Sequence, residues 1–126
     1  AFCCLHATAR DFAKLGLLIL GKGTYQNQQL ISRKNILQLT TSVFPNAPHY
    51  GYGFWLDSYK GNDIISFQGH LGQYIIVYPA EELVIVRLGE QAGGFQDSSA
   101  KSFGDDTALT DIKFLLHETL SALELN

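Results

Sequence analysis

Apolar positions in this chain follow two different periods. Phe12, Leu15, Leu18 and Ile19, with the small Ala9 and Gly16, recur at the spacing of one helical face. Thr8 stands where an N-cap belongs, with Asp11 three residues on in the capping-box position, and Gly21-Lys22-Gly23 supplies a stop. Arg10 and Lys14 lie one turn apart on the polar side. Residues 25–30 are polar and read as a connection. Ser32 is a second N-cap ahead of a short helix over 33–41, which carries Ile36, Leu37 and Leu39. Pro45, Asn46 and Pro48 make 42–49 a loop.

From residue 50 the period is that of β-structure. Tyr50-Gly51-Tyr52-Gly53-Phe54-Trp55-Leu56 reads as a strand, its glycines marking a bend or a close neighbour. Lys60-Gly61-Asn62-Asp63 turns it back. Apolar runs follow at 64–67, 74–78 and 83–88, separated by Gly69-His70-Leu71-Gly72 and by Pro79-Ala80-Glu81-Glu82. Their Ile, Val and Tyr content suits strands buried on at least one face. Residues 91–106, rich in Gly, Ser and Asp, read as a long surface connection. Asp106 or Thr107 would cap a last helix, with Leu109, Ile112, Leu116, Leu120 and Leu123 facing the sheet. The expected fold is α+β: an antiparallel sheet of about four strands in meander order, packed against N- and C-terminal helices.

Composition narrows the function classes. With 126 residues, 46% apolar and 17% charged, the chain has one domain's worth of ordinary globular sequence. A net charge of -3 and the lack of a Lys/Arg cluster argue against a nucleic-acid partner. The apolar run 15–20 is far shorter than the ~20 residues a membrane span needs. Cys3 and Cys4 are adjacent and read as small apolar residues beside Phe2 and Leu5. His6, His49 and His117 are dispersed without partners at ligand spacing, so neither a metal nor another cofactor is expected.

Four motifs in order carry a resemblance that covers nearly the whole chain: 7–16, Gly23 through Leu30-Ile31, Tyr50-Gly51-Tyr52-Gly53-Phe54-Trp55, and Gly69-His70-Leu71-Gly72-Gln73 with the runs to Pro79 and Arg87. Together they resemble the C-terminal strands of serine β-lactamase-like hydrolases, the group of class C β-lactamases, penicillin-binding-protein-like esterases and peptidases, and 6-aminohexanoate-dimer hydrolases. The resemblance implies that residues 1–126 are the C-terminal segment of such a domain, without the part that bears the nucleophile, and that the chain is not catalytic alone. It also implies an acyl-enzyme route on amides or esters, with β-lactam, peptide, ester and amide oligomer all open as small-molecule substrates. A cell-envelope or periplasmic location follows if the parent behaves as many relatives do, with the cytoplasm open. Expected partners are the missing N-terminal part, whose strands would pair with the last strand, or a second copy through the 83–88 edge. The competing class is a non-catalytic binding module derived from the same family.

In that family the third motif, commonly Lys-Thr-Gly or a replacement, lies on the strand bordering the active site, and the amide after its last Gly helps bind the oxyanion. Counting back from Pro79 places that Gly at Gly69, behind Phe67-Gln68, with the backbone N–H of His70 as donor. The alternative register takes His70-Leu71-Gly72 as the motif and Gln73 as donor. Either way a Gly-flanked strand lets substrate approach a fixed amide dipole. Gln68, Leu71, Tyr50 and Tyr52 are the expected substrate contacts, with strand alternation placing Tyr50, Tyr52 and Phe54 on one face and Trp55 on the other. The His70 imidazole is a further acid–base or contact candidate. Ser98-Ser99-Ala100-Lys101 and Tyr25-Gln26-Asn27 match Ser-x-x-Lys and Tyr-x-Asn by chance, since Ser98 lacks an apolar helical face and follows the third motif instead of preceding it.

Overall fold

The computed structural model describes residues 5–89 and 106–124. Cys3, Cys4, the connection over 91–105 and the Ser98–Lys101 match lie outside the described residues, as do the side chains proposed to cap the last helix. Helix α1 (Ala9–Leu20) begins where Thr8 is extended and its Oγ1 accepts the Asp11 amide at 3.2 Å while donating to Asp11 Oδ2 at 2.7 Å. Lys14 Nζ closes on the other carboxylate oxygen at 2.7 Å. That bond first, and the Thr8 hydroxyl second, lower the Asp11 pKa to about 2. The capping expectation therefore holds, with Asp filling the role that Glu usually takes.

Residues 25–30 are more structured than their polarity implied. Two-residue strands β1 (Thr24–Tyr25) and β2 (Gln28–Gln29) pair around Gln26 and Asn27, both left-handed with φ of 48° and 63°. Such a hairpin turn usually announces itself with Gly, and Gln26-Asn27 does not. Helix α2 (Arg33–Leu39) starts under the Ser32 hydroxyl, which accepts the Asn35 amide at 3.2 Å, and stops two residues before the expected end.

Strands β3 (Trp55–Tyr59), β4 (Asn62–Gly69), β5 (Gln73–Tyr78) and β6 (Leu83–Arg87) form one antiparallel sheet in chain order, the expected meander. Alternation divides it. Ile64, Tyr74, Ile76 and Tyr78 meet Ile112 and Leu116 of α3 (Asp106–Glu124), while Ile65, Phe67, Val77 and Val84 face Ile19 of α1, Ile36 of α2 and Phe54. Ile76 and Val77 have no exposed surface, so the central strand is buried on both sides, each side chain stabilising the fold by about 1.5–3 kcal/mol. The Tyr74 hydroxyl donates to the buried Asp111 at 3.3 Å and ties α3 to β5.

Helix α1 comes very close to the sheet at Gly16, where an added Cβ would lie 2.5 Å from Val84 Cγ1. Three boundary expectations need correction. The run 50–56 is not one strand: β3 starts at Trp55, and Tyr50 makes only an isolated bridge to it. Leu88 lies beyond β6 and is half exposed. Leu123 is 59% exposed and is not part of the cluster that Ile112, Leu116 and Leu120 of α3 form with the sheet.

Candidate functional site

The distinguishing feature of the sheet is that β4 is longer than its neighbour. Pairing of β3 with β4 begins at Trp55 opposite Ser66, so Phe67, Gln68 and Gly69 extend past the start of β3. The cause is local. Gly53 sits at φ 88°, and the Gly51 amide donates to Phe54 O at 2.9 Å, folding 50–54 back on itself before it can follow β4.

Backbone direction along this overhang follows from alternation. The Leu56 amide donates to His49 O at 2.8 Å, away from β4, which makes Leu56–Ile65 a non-hydrogen-bonded pair and Trp55–Ser66 a hydrogen-bonded one. Two residues on, the N–H and C=O of Gln68 project to the same side as those of Ser66, where no strand lies opposite among the described residues. The next amide of that parity belongs to His70. By the same alternation Gly69 faces β5 as the closing pair with Gln73, which directs the Gln73 amide into the β4–β5 ladder.

The turn over 70–72 holds Leu71 at φ 59° and Gly72 at φ 77°, with His70 and Leu71 exposed. Below it, Gln68 lies on the α3 side of the sheet, its Nε2 donating to Oγ of the buried Ser66 at 3.2 Å. Trp55 is opposite Ser66 on that face, and the Tyr50 ring meets it edge-on at 5.0 Å between centroids. Phe54 instead packs on Phe67 on the other face, at 4.7 Å. Tyr52 is exposed and touches Phe44 edge-on at 6.1 Å. The expected common face for Tyr50, Tyr52 and Phe54 is therefore wrong, because residues 50–54 form a turn and do not alternate. Tyr50 stands with Trp55 near the overhang, and Tyr52 belongs to a separate contact beside the proline loop.

Gly69 is needed for space. An added Cβ would lie 2.9 Å from the Gln73 Cβ. The Gln73 side chain in turn grips the end of β6: its Nε2 donates to Gly89 O, and the Gly89 amide approaches Gln73 Oε1 at 3.4 Å. Arg87 Nη1 donates to Gly72 O, with its guanidinium carbon 5.9 Å from the Tyr74 ring centroid. Sequence reading missed Ser66, Gln73 as a side chain, and Arg87. The period-2 pair Ser66 and Gln68, polar inside an apolar run, was the available signal.

Of the other imidazoles, that of His117 is at the far end of the sheet, its Nδ1 3.0 Å from the Tyr59 hydroxyl. Among the described residues no group of three or more His, Cys, Asp and Glu side chains is placed to hold a metal ion, and no helix is long and apolar enough to cross a membrane. A search of curated proteins finds no match to the chain. A family model described as Beta-lactamase matches residues 4–108, a span that takes in both N-terminal helices and the whole four-stranded sheet, and the chain thus belongs to the β-lactamase family.

Proposed function

We propose that this chain supplies the third-motif strand of a serine hydrolase that cleaves amide or ester bonds through an acyl-enzyme, with its nucleophile carried by sequence outside residues 1–126. The carrying observation is the overhang of β4 beside Gly69, in a chain of the β-lactamase family. Phe67-Gln68-Gly69 takes the motif position and the His70 amide the donor position. Backbone alternation favours this register over the one ending at Gly72, because the Gln73 amide is directed into the ladder with Gly69.

The chemistry asked of these residues is limited and balanced. A serine Oγ bonds to the substrate carbonyl carbon, its proton passes to a neighbouring base, and the carbonyl π-electrons move onto oxygen. The His70 amide stabilises that oxyanion. Collapse expels the amine or alkoxide, which takes up the proton, and water then hydrolyses the ester to serine. Gln68 offers its backbone to an extended substrate along the overhang. Tyr50, beside Trp55, forms wall. The proposed substrate class is a small amide or ester.

The outer edge of β6 extends the proposal to partners. Alternation turns the backbone of Val84 and Val86 away from β5, toward a side with no strand among the described residues. The N-terminal part of the same enzyme is the proposed occupant, and a second copy takes its place when that part is missing.

Two measurements test the reading. The 126-residue chain alone should neither hydrolyse a p-nitrophenyl ester nor be labelled by a serine-reactive fluorophosphonate; stoichiometric labelling of Ser98 would overturn it. In a polypeptide joining this segment to a Ser-x-x-Lys segment, His70→Pro removes the donor N–H whereas His70→Ala keeps it. Acylation should fall about 100- to 1000-fold in the first and stay near wild type in the second. Equal rates in both, or no acylation in the wild type, would favour a non-catalytic binding module.

A further inference from the structure

We infer that Arg87 and Gln73 are positioning residues that clamp the β4–β5 turn to the end of β6, an inference that rests on the oxyanion-donor reading of that turn. Three backbone–side-chain hydrogen bonds carry it. Arg87 Nη1 donates to Gly72 O inside the turn, while the Gln73 carboxamide, immediately after the turn, both donates to Gly89 O and accepts from Gly89 N. The two side chains thus cross between the same two places, one reaching from β6 to the turn and the other from the turn to the residue pair beyond β6.

The fit around Arg87 is close. It is opposite Tyr74 in the ladder, with its guanidinium carbon 5.9 Å from that ring centroid. A Cβ on Gly89 would lie 2.5 Å from Arg87 Nη1 and 2.8 Å from Cζ, so the guanidinium fills the space a side chain at 89 would use. Arginine suits such a place, since its planar fork can rest on a surface and still present an N–H at fixed angle.

A clamp is useful here because the turn is strained and exposed. Leu71 at φ 59° is a left-handed leucine, a conformation that costs about 1–2 kcal/mol, and the His70 and Leu71 side chains are exposed. Left alone, such a tip samples several conformations. A donor amide has to meet the oxyanion at about 2.7–3.1 Å, and misplacement by an ångström costs on the order of 100-fold in rate. The five β5–β6 pairs already hold the sheet. The extra bonds from Arg87 and Gln73 end on turn and strand-end backbone, so their effect falls on the height and tilt of the turn.

The test uses amide hydrogen exchange by NMR on the 126-residue chain, comparing wild type with Arg87→Met, Arg87→Lys and Gly89→Ala. Loss of the donor in Arg87→Met should speed exchange at Gln73, whose amide closes the ladder with Gly69 at the end of the turn, roughly ten-fold while Ile75, Ile76 and Val77 stay unchanged. Arg87→Lys, which keeps a charge and a donor, should recover part of the protection. Gly89→Ala acts with Arg87 intact, and its backbone lies outside the left-handed region, so it decides the matter if Arg87→Met fails to fold. In the polypeptide joined to a Ser-x-x-Lys segment, the same variants should lower the acylation rate with KM within about two-fold of wild type. Unchanged turn exchange overturns the clamp, and a loosened turn with wild-type acylation overturns its positioning role. Failure of the wild type to acylate would instead count against the hydrolase reading, with the exchange data still deciding the clamp.

Discussion

Replacing Gly69 by alanine tests how tightly the turn is built. Residues facing each other in an antiparallel ladder usually keep their Cβ atoms about 4.5–5.5 Å apart. An alanine Cβ at 69 would instead lie 2.9 Å from the Gln73 Cβ and 3.4 Å from its Cγ. The Gln73 Cβ is fixed by its own backbone and cannot swing aside, so the hairpin must open by roughly 0.5–1 Å to restore ordinary contact near 3.5–4.0 Å. Overpacking of this kind costs about 1–3 kcal/mol. Relief of the glycine penalty in a strand returns about 0.5–1 kcal/mol, and weakening of the Gln73 bonds to Gly89 removes about 1 kcal/mol. The expected net loss is about 1–3 kcal/mol, or roughly 4–10 °C in Tm for a chain of this size. Thermal melts followed by circular dichroism read it directly. A cycle with Gln73→Gly, which takes away the opposing Cβ, should show a coupling of about 0.5–3 kcal/mol. Gly69→Val should do worse, although strand propensity alone favours valine there. An alanine variant as stable as wild type, or an additive cycle, would refute the steric argument.

Gly16→Ala should gain about 1 kcal/mol from helix propensity yet come out destabilised by about 1 kcal/mol, because its Cβ would sit 2.5 Å from Val84 Cγ1; combining it with Val84→Ala should restore the Tm. The Asp11 pKa is depressed in the fold from 3.8 to about 2, so its contribution is complete above about pH 4 and is lost as pH falls through about 2. Amide shifts of residues 9–12 should follow that window, with Asp11→Asn flat across it and 1 M salt shrinking the change; identical acid dependence in both proteins would rule the cap out as the cause. Light scattering after size-exclusion chromatography should find the isolated chain self-associating and Val86→Lys monomeric, whereas a wild-type monomer at high concentration would mean that the β6 edge is covered.

Which parts of this architecture could be read in advance depended on whether the determining force was local. Thr8 and Ser32 cap helices through atoms three residues away, and Ile76 and Val77 are buried because an unbroken apolar run suits a strand covered on both faces. Such features are written in the chain's period. Residues 50–54 were misread because an aromatic–glycine alternation satisfies a strand pattern equally well, and only the φ of Gly53 decides that the chain turns. The Gln26-Asn27 turn was hidden for a similar reason. The family was accessible through the motifs that carry the resemblance. The bonds around Gly69 were not, since Gly72 and Arg87 meet across 15 residues and Gln73 and Gly89 across 16 through contacts that leave no periodic trace.

Gly53 has a consequence for how an unpaired length of strand such as the end of β4 arises and disappears. A Cβ at this residue would find nothing within 4 Å, so the residue acts through a torsion angle alone. Extending the observed register backwards would set residue 54 against Phe67 and residue 53 against Gln68. A β-branched residue at 53 would resist φ of 88° and favour that extension, zipping β3 shut over the overhang. The free length of β4 beyond Ser66 is therefore governed by the handedness of one residue on a neighbouring segment, and a single substitution there would pair Phe67 and Gln68 with residues 54 and 53.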